Sequence, residues 1–399
     1  MFSSKNKLDY NLKYYLSKNT YRSYRVLIKY KDFQSSIAKK INSYRGIVYH
    51  IIESSNIISA QLNSKGIERL LEYPEIEQIY LDEYLFLCGM SVSSANKSSF
   101  LEKTNLSGAG VGIGLVDSGV YPHKDLITPS NKISLFEDLI NNIHYPYDDN
   151  GHGTCISGIL CSSGFTSNNM YKGICPKSRL FCYKAFDKLG KGFASDVLYA
   201  VENLINISKE HNIKILCLPF ELLSHNVFII DAFQKLFDCA IKNGLIPIVS
   251  AGSSLNDKYS IMGIATLPNC ITVGGLDTTK TIPKPYSYSA CGPIYKYNKP
   301  DLCASCVNIV SLNSDKNYVS EKNGVKLYPK QLDVLYKTFS GSSIAAAYVC
   351  GICALILEKN PDITFKDMHS LLQVSCDSID DIPKYIQGDG VINFKKLIT

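Results

Sequence analysis

Residues 111–119 read Val-Gly-Ile-Gly-Leu-Val-Asp-Ser-Gly, an apolar run over 112–116 that stops on Asp117 and a Ser-Gly turn. A strand that is apolar at successive positions, with no alternation, is a strand buried on both faces. Outward from it, similar segments recur at 179–185, 214–219, 245–250, 271–274 and 308–311. Between them lie helical stretches at 153–160, 194–208 and 230–243, and a long apolar one at 343–357. Buried strands alternating with helices predict an α/β domain, a parallel sheet covered on both sides. The chain has 399 residues, 45% hydrophobic and 20% charged, enough for one large domain and a small one.

The small domain is expected ahead of the sheet. Residues 21–88 read as strand 24–30, helix 34–43, two strands within 46–62 around a turn at 54–56, helix 65–72 and strand 75–81. That β-α-β-β-α-β order is the ferredoxin-like arrangement of a small α+β unit. Residues 1–20 are polar and basic and are expected to form a loose arm, and the Ser-rich stretch 89–104 a linker. The large domain then spans 105–399.

Charge is unevenly spread. Residues 1–50 carry eleven Lys and Arg against Asp9 and Asp32, which is +9 of a chain whose net charge is +6. No aromatic platform accompanies this charge, so a solvated basic face is expected rather than nucleic-acid binding. The first twenty residues lack the apolar core and small-residue cleavage site of a secretory leader. No stretch of about 18 uncharged apolar residues points to a membrane partner. Fourteen Cys without a disulfide framework then favour reduced thiols and a cytoplasmic location.

Three segments carry chemistry, each at the edge of an element. Asp117 ends a strand; His152 opens a helix between two glycines in 150–158 (NGHGTCISG); Ser343 opens the small-residue helix in 340–351 (SGSSIAAAYVCG). A serine hydroxyl becomes a nucleophile when a neutral imidazole takes its proton, and a carboxylate must hold that imidazole's tautomer. A serine at a helix start also aims its own N–H and the positive helix end at an acyl oxyanion. The three occur in the chain order Asp, His, Ser.

These segments resemble the three active-site motifs of the subtilase family of serine proteases (peptidase S8), over about 105–399. Further likenesses lie at 171–184 (YKGICPKSRLFCYK), 190–202 (GKGFASDVLYAVE), 267–274 (LPNCITVG) and 389–393 (DGVIN). The resemblance implies a subtilisin-like three-layer catalytic domain. It also implies an Asp117, His152, Ser343 triad and a serine endopeptidase acting on peptide or protein substrates without a cofactor. Residues 21–88 are similar to the family's propeptide, which implies an intramolecular inhibitor and self-cleavage between about Leu85 and Lys103.

The resemblance also assigns an oxyanion hole and a substrate edge. The first joins the Ser343 N–H to a side chain that is usually Asn and is here Ser253, in Ala251-Gly252-Ser253. The second is Leu218-Pro219-Phe220, where Pro removes a backbone donor and Phe adds bulk. Ala304-Ser305-Cys306 and Ala347 also depart from the pattern. These departures leave an alternative, a weakened or inactive pseudoprotease that binds peptides as a regulator. Cys303/Cys306 and Cys350/Cys353 have zinc-like spacing, but the second pair sits inside an apolar helix, so small buried thiols are expected instead. Asp148 and Asp149 are read as a solvated loop, with an acidic specificity pocket as the other reading.

Overall fold

The computed structural model describes residues 7–31, 34–52, 56–81, 104–223, 227–294 and 298–398. Contacts divide the chain into Met1–Leu87 and Cys88–Thr399. The 89–103 part of the expected linker lies outside the described residues.

The first unit contains α1 (Tyr10–Ser17), β1 (Tyr24–Tyr30), α2 (Gln34–Ser43), β2 (Ile47–Ile52), β3 (Ile57–Leu62), α3 (Ser64–Leu70) and β4 (Ile76–Leu81). The sheet order is β2-β3-β1-β4, with every pairing antiparallel. Alternation along β1 buries Tyr24, Val26, Ile28 and Tyr30, which pack with Ile37 and Ile41 of α2 and with Ile67 and Leu70 of α3. Residues 10–17 are a helix where the sequence suggested a loose arm. Asp9 caps it by accepting from the Leu12 N–H at 3.2 Å, and Leu12 is fully buried in the core. Tyr15 and Leu16 pack against the same core and the Asp9 N–H donates to the Ile79 carbonyl at 3.0 Å, so tertiary packing together with the cap holds this short helix.

The second unit is built on a ten-stranded sheet, here with β5 (Gly112–Asp117), β6 (Ile133–Asp138), β7 (Arg179–Lys184), β8 (Ile213–Leu218), β9 (Ile246–Ser250), β10 (Ile271–Asp277), β11 (Lys284–Pro285) and β12 (Leu302–Ser305). β13 (Ile309–Leu312) pairs antiparallel with β16 (Tyr336–Phe339), and between them in the chain β14 (Glu321–Lys322) and β15 (Val325–Lys326) form a separate hairpin; β17 (Cys376–Asp377) and β18 (Val391–Ile392) complete the large sheet. The order is β17-β18-β12-β10-β9-β8-β5-β7-β6, parallel except for β17 on β18 and for β11, which pairs with β10. The main helices are α4 (His152–Cys161), α5 (Ala194–Asn206), α6 (Val227–Lys242), α7 (Ser342–Lys359) and α8 (Phe365–Ser375).

Alternation within β8 shows why the strands are apolar throughout. Ile215 and Cys217 join the core that holds α4 and α7, while Leu216 and Leu218 join the core of α5 and α6 on the opposite face. The result is an α/β fold in three layers. The helix α7 is long and apolar enough to cross a membrane, which the sequence reading did not anticipate. It is 83% buried inside the protein, and its residues from Ile344 to Leu357 are all buried, as a helix that is apolar all round requires. Strands β6 and β12 and helix α8 lie outside the sequence reading. β6 is an edge strand half polar in sequence, and α8 announces itself mainly through its Thr364 cap, which accepts from the Asp367 N–H.

Candidate active site

The end of β5, the start of α4 and the start of α7 meet. The His152 Nδ1 lies 2.8 Å and 2.9 Å from the two carboxylate oxygens of Asp117, and its Nε2 lies 3.0 Å from the Ser343 Oγ. Hydrogen positions follow from partners: a carboxylate only accepts, so Nδ1 carries the proton and the Nε2 lone pair faces the serine. Asp117 is buried, and one of its oxygens also accepts from the Ser118 N–H at 2.6 Å. Burial disfavours a charged His152, but the charge and hydrogen bond of Asp117, with a contribution from Asp148, outweigh it and hold its pKa above the ordinary 6.5.

Asp148 is neither a solvated loop residue nor part of an acidic pocket. It is fully buried and accepts five hydrogen bonds. These come from the N–H groups of Asn150 (3.1 Å), Gly151 (2.7 Å) and Thr154 (2.8 Å) and from the hydroxyls of Ser118 (2.9 Å) and Thr154 (2.6 Å). It caps α4 from four residues ahead of His152, because Gly151 has no side chain to do so. The Ser118 hydroxyl also accepts from the Gly153 N–H at 3.0 Å, tying the strand end to the helix start. A Cβ at Gly153 would lie 2.0 Å from the Gly119 carbonyl oxygen, so only glycine permits this approach.

Asp149 pairs instead with Lys184, a fully buried lysine at the end of β7 and in register with Asp117. The Lys184 Nζ donates to Asp149 (2.6 Å), the Ser118 carbonyl (2.6 Å) and the Phe186 carbonyl (3.0 Å). Asp148 and Lys184 therefore brace the Asp117 and His152 segments from beneath, and sequence reading assigned neither this role. Replacing Asp148 by Ala strands several buried donors, at a cost on the order of 3 kcal/mol. The expected result is a clearly lowered unfolding midpoint in thermal denaturation, together with reduced hydrolysis as α4 loses its anchor.

Ser343 opens α7, with the neighbouring Ser342 hydroxyl donating to the Gly252 carbonyl at 2.8 Å. Ser253 is close by but is already engaged. Its hydroxyl donates to Glu221, and its N–H donates to the other oxygen of the same carboxylate at 2.9 Å. As found, it is not poised as an oxyanion donor. Of the expected substrate edge, Pro219 and Phe220 line a cleft of about 440 Å³ that includes Asp117, His152 and Ser343. The Leu218 side chain does not line it, since strand alternation turns it into the core of α5 and α6. The bulk of Phe220 is accommodated between Phe186 (ring centroids 5.3 Å apart) and Phe233 (6.5 Å). Glu221 lines the same cleft and was missed; its signal was a lone acid one residue beyond the substrate-edge segment.

The four zinc-spaced cysteines are buried, and burial pushes the thiols of Cys303, Cys306, Cys350 and Cys353 up. Among the described residues no group of three His, Cys, Asp or Glu side chains is placed to hold a metal ion.

Residues 108–390 match the model of the subtilase family, peptidase S8. The chain is 32% identical to the serine protease AprX of Bacillus subtilis over 85% of its own length and 78% of that protein's. It is 23% identical to subtilisin DY of Bacillus licheniformis, over 74% of this chain and 94% of the other. Among solved structures, sphericase superposes with a TM-score of 0.62 at 22% identity, covering 78% of this chain and 99% of its own. The epidermin leader peptide processing serine protease of Staphylococcus aureus, solved as a serine-to-alanine mutant, gives 0.59 at 19% identity, covering 94% and 99%. With the subtilase model spanning well over half its length and a curated serine protease as a relative, this chain belongs to the subtilase family and is a subtilisin-like serine protease.

Proposed function

We propose that the protein is a serine endopeptidase whose catalytic residues are Asp117, His152 and Ser343. The observation that carries this is the unbroken line from carboxylate to imidazole to hydroxyl, at 2.8 Å and 3.0 Å. In this reading the Ser343 Oγ attacks the peptide carbonyl while its proton passes to the His152 Nε2. The oxyanion forms beside the Ser343 N–H at the positive end of α7, and His152 returns the proton to the departing amine. Water then attacks the acyl-enzyme by the same route and frees Ser343. Asp117 keeps Nδ1 protonated throughout and stabilises the imidazolium.

The fold of residues 7–81 supports an inhibitory and folding-assisting role for the first unit, released by self-cleavage between about 85 and 103. Thirteen described cysteines are unpaired, which supports work in a reducing compartment such as the cytoplasm.

A fluorophosphonate tests the central claim, because it phosphonylates a serine only when a base activates it. Peptide mapping is expected to find the label on Ser343. The base must be neutral, and the His152 pKa is raised, so labelling is expected to increase with pH with a midpoint above 6.5. The linked stability runs the other way: the imidazolium–Asp117 attraction is fully present below the unfolded pKa and fades as pH rises through the folded one. A native chain that takes no label across this range would sink the endopeptidase and favour a peptide-binding regulator.

A further inference from the structure

We infer that Glu221 selects substrates with Arg or Lys immediately before the scissile bond, and that such a cation releases Ser253 to assist the reaction. The inference rests on the reading of Ser343 as nucleophile. Glu221 follows Phe220 off the end of β8, and its carboxylate is clasped by the N–H and the hydroxyl of Ser253. The same loop is tied to the nucleophile's helix through the Ser342 hydroxyl and the Gly252 carbonyl, 2.8 Å apart. A Cβ at Gly252, where φ is +115°, would come within 2.7 Å of the Glu221 Oε2, so the carboxylate sits against this glycine. The charge is therefore held beside the place where an oxyanion would form.

The charge balance of the cleft is one-sided. The only other carboxylate among the described lining residues, Asp117, is occupied by His152, and none of those described residues is Lys or Arg. For a substrate with a neutral side chain, negative charge developing on the attacked carbonyl faces an unneutralised carboxylate, and the Ser253 hydroxyl is already committed. A guanidinium or ammonium arriving from the residue before the scissile bond corrects both. That side chain branches one bond from the attacked carbonyl and is long enough to reach the wall formed by Glu221. Once the cation is paired with Glu221, the opposing charge is cancelled and the serine hydroxyl is free to turn toward the oxyanion. Arg fits better than Lys, because its planar fork engages a carboxylate through two parallel hydrogen bonds.

The test uses the full-length protein and four fluorogenic tetrapeptides that differ only in the last residue before the reporter: Arg, Lys, Gln or Leu. The expected kcat/KM for Arg and Lys exceeds that for Gln and Leu by about 30-fold or more, and Glu221→Gln brings the ratio down to within about 3-fold. A native preference for Leu, or a Glu221→Gln variant that keeps the ratio, overturns the inference. The native protein gives a second readout that needs no variant. Its cuts in an unfolded protein substrate are expected after Arg and Lys, and cuts spread over apolar residues overturn the inference equally. Fluorophosphonate labelling in parallel separates the two levels: no label on the native chain sinks the hydrolase reading and this inference with it. Labelling of Ser343 with no preference for basic residues sinks the inference alone.

Discussion

Ser343→Ala is expected to abolish hydrolysis and to leave the chain at its full 44.3 kDa, while the native protein loses its first unit. The rate loss is expected on the order of 10⁶-fold in kcat, the size this replacement has in subtilisin itself. The argument is chemical: the neighbouring Ser342 hydroxyl does not replace the lost one, since it is directed at the Gly252 carbonyl. Alanine is also benign for the fold, because it suits the second position of a helix and leaves the buried face of α7 untouched. Mass spectrometry of the two purified proteins reads self-processing, and a peptide substrate reads turnover. Two intact chains would refute self-processing, and equal turnover would refute the role of Ser343.

Asp117→Asn is expected to lower kcat by about 10⁴-fold, comparable to the loss of this carboxylate in subtilisin. The carboxylate meets Nδ1 with both oxygens, at 2.8 Å and 2.9 Å, so it fixes one tautomer and one ring orientation. An amide can present its N–H to the ring as readily as its oxygen, which favours the tautomer with the proton on Nε2 and no lone pair toward Ser343. The pH profile distinguishes this from simple damage. With the Asp117 charge gone, the remaining burial pulls the His152 pKa down, so the acid limb of the residual activity shifts to lower pH. A rate within tenfold of native, or an acid limb that does not move, would remove Asp117 from the relay.

The relay and the fold were legible for a common reason. A strand such as β5, buried on both faces, writes itself as consecutive apolar residues, and a functional residue at its end interrupts the run abruptly. His152 stood out because Gly151 and Gly153 leave it no packing role. The braces beneath the relay were not legible. Asp148 and Asp149 are adjacent acids before an Asn-Gly turn, and nothing local distinguishes the fully buried cap from its neighbour, which pairs with a buried lysine. The lysine comes from a strand 35 residues away, and only the sheet register brings it beneath Asp117. Ser253 shows the same limit. Its position in an Ala-Gly-Ser segment suggested a free donor, but its partner, Glu221, lies on a different strand exit 32 residues earlier in the chain. A motif shows which groups are available, and only tertiary contact shows which of them are already engaged.

The helix that carries Ser343 in its first turn runs through the interior with protein on every side. Its middle cannot shift, tilt or fray while the sheet above it stays whole, so the Ser343 hydroxyl inherits the stiffness of a segment that is buried from Ile344 to Leu357. Heat or denaturant therefore has no gentle route to disorganising this end of the relay: loss of the nucleophile's placement and collapse of the whole large domain are one cooperative event.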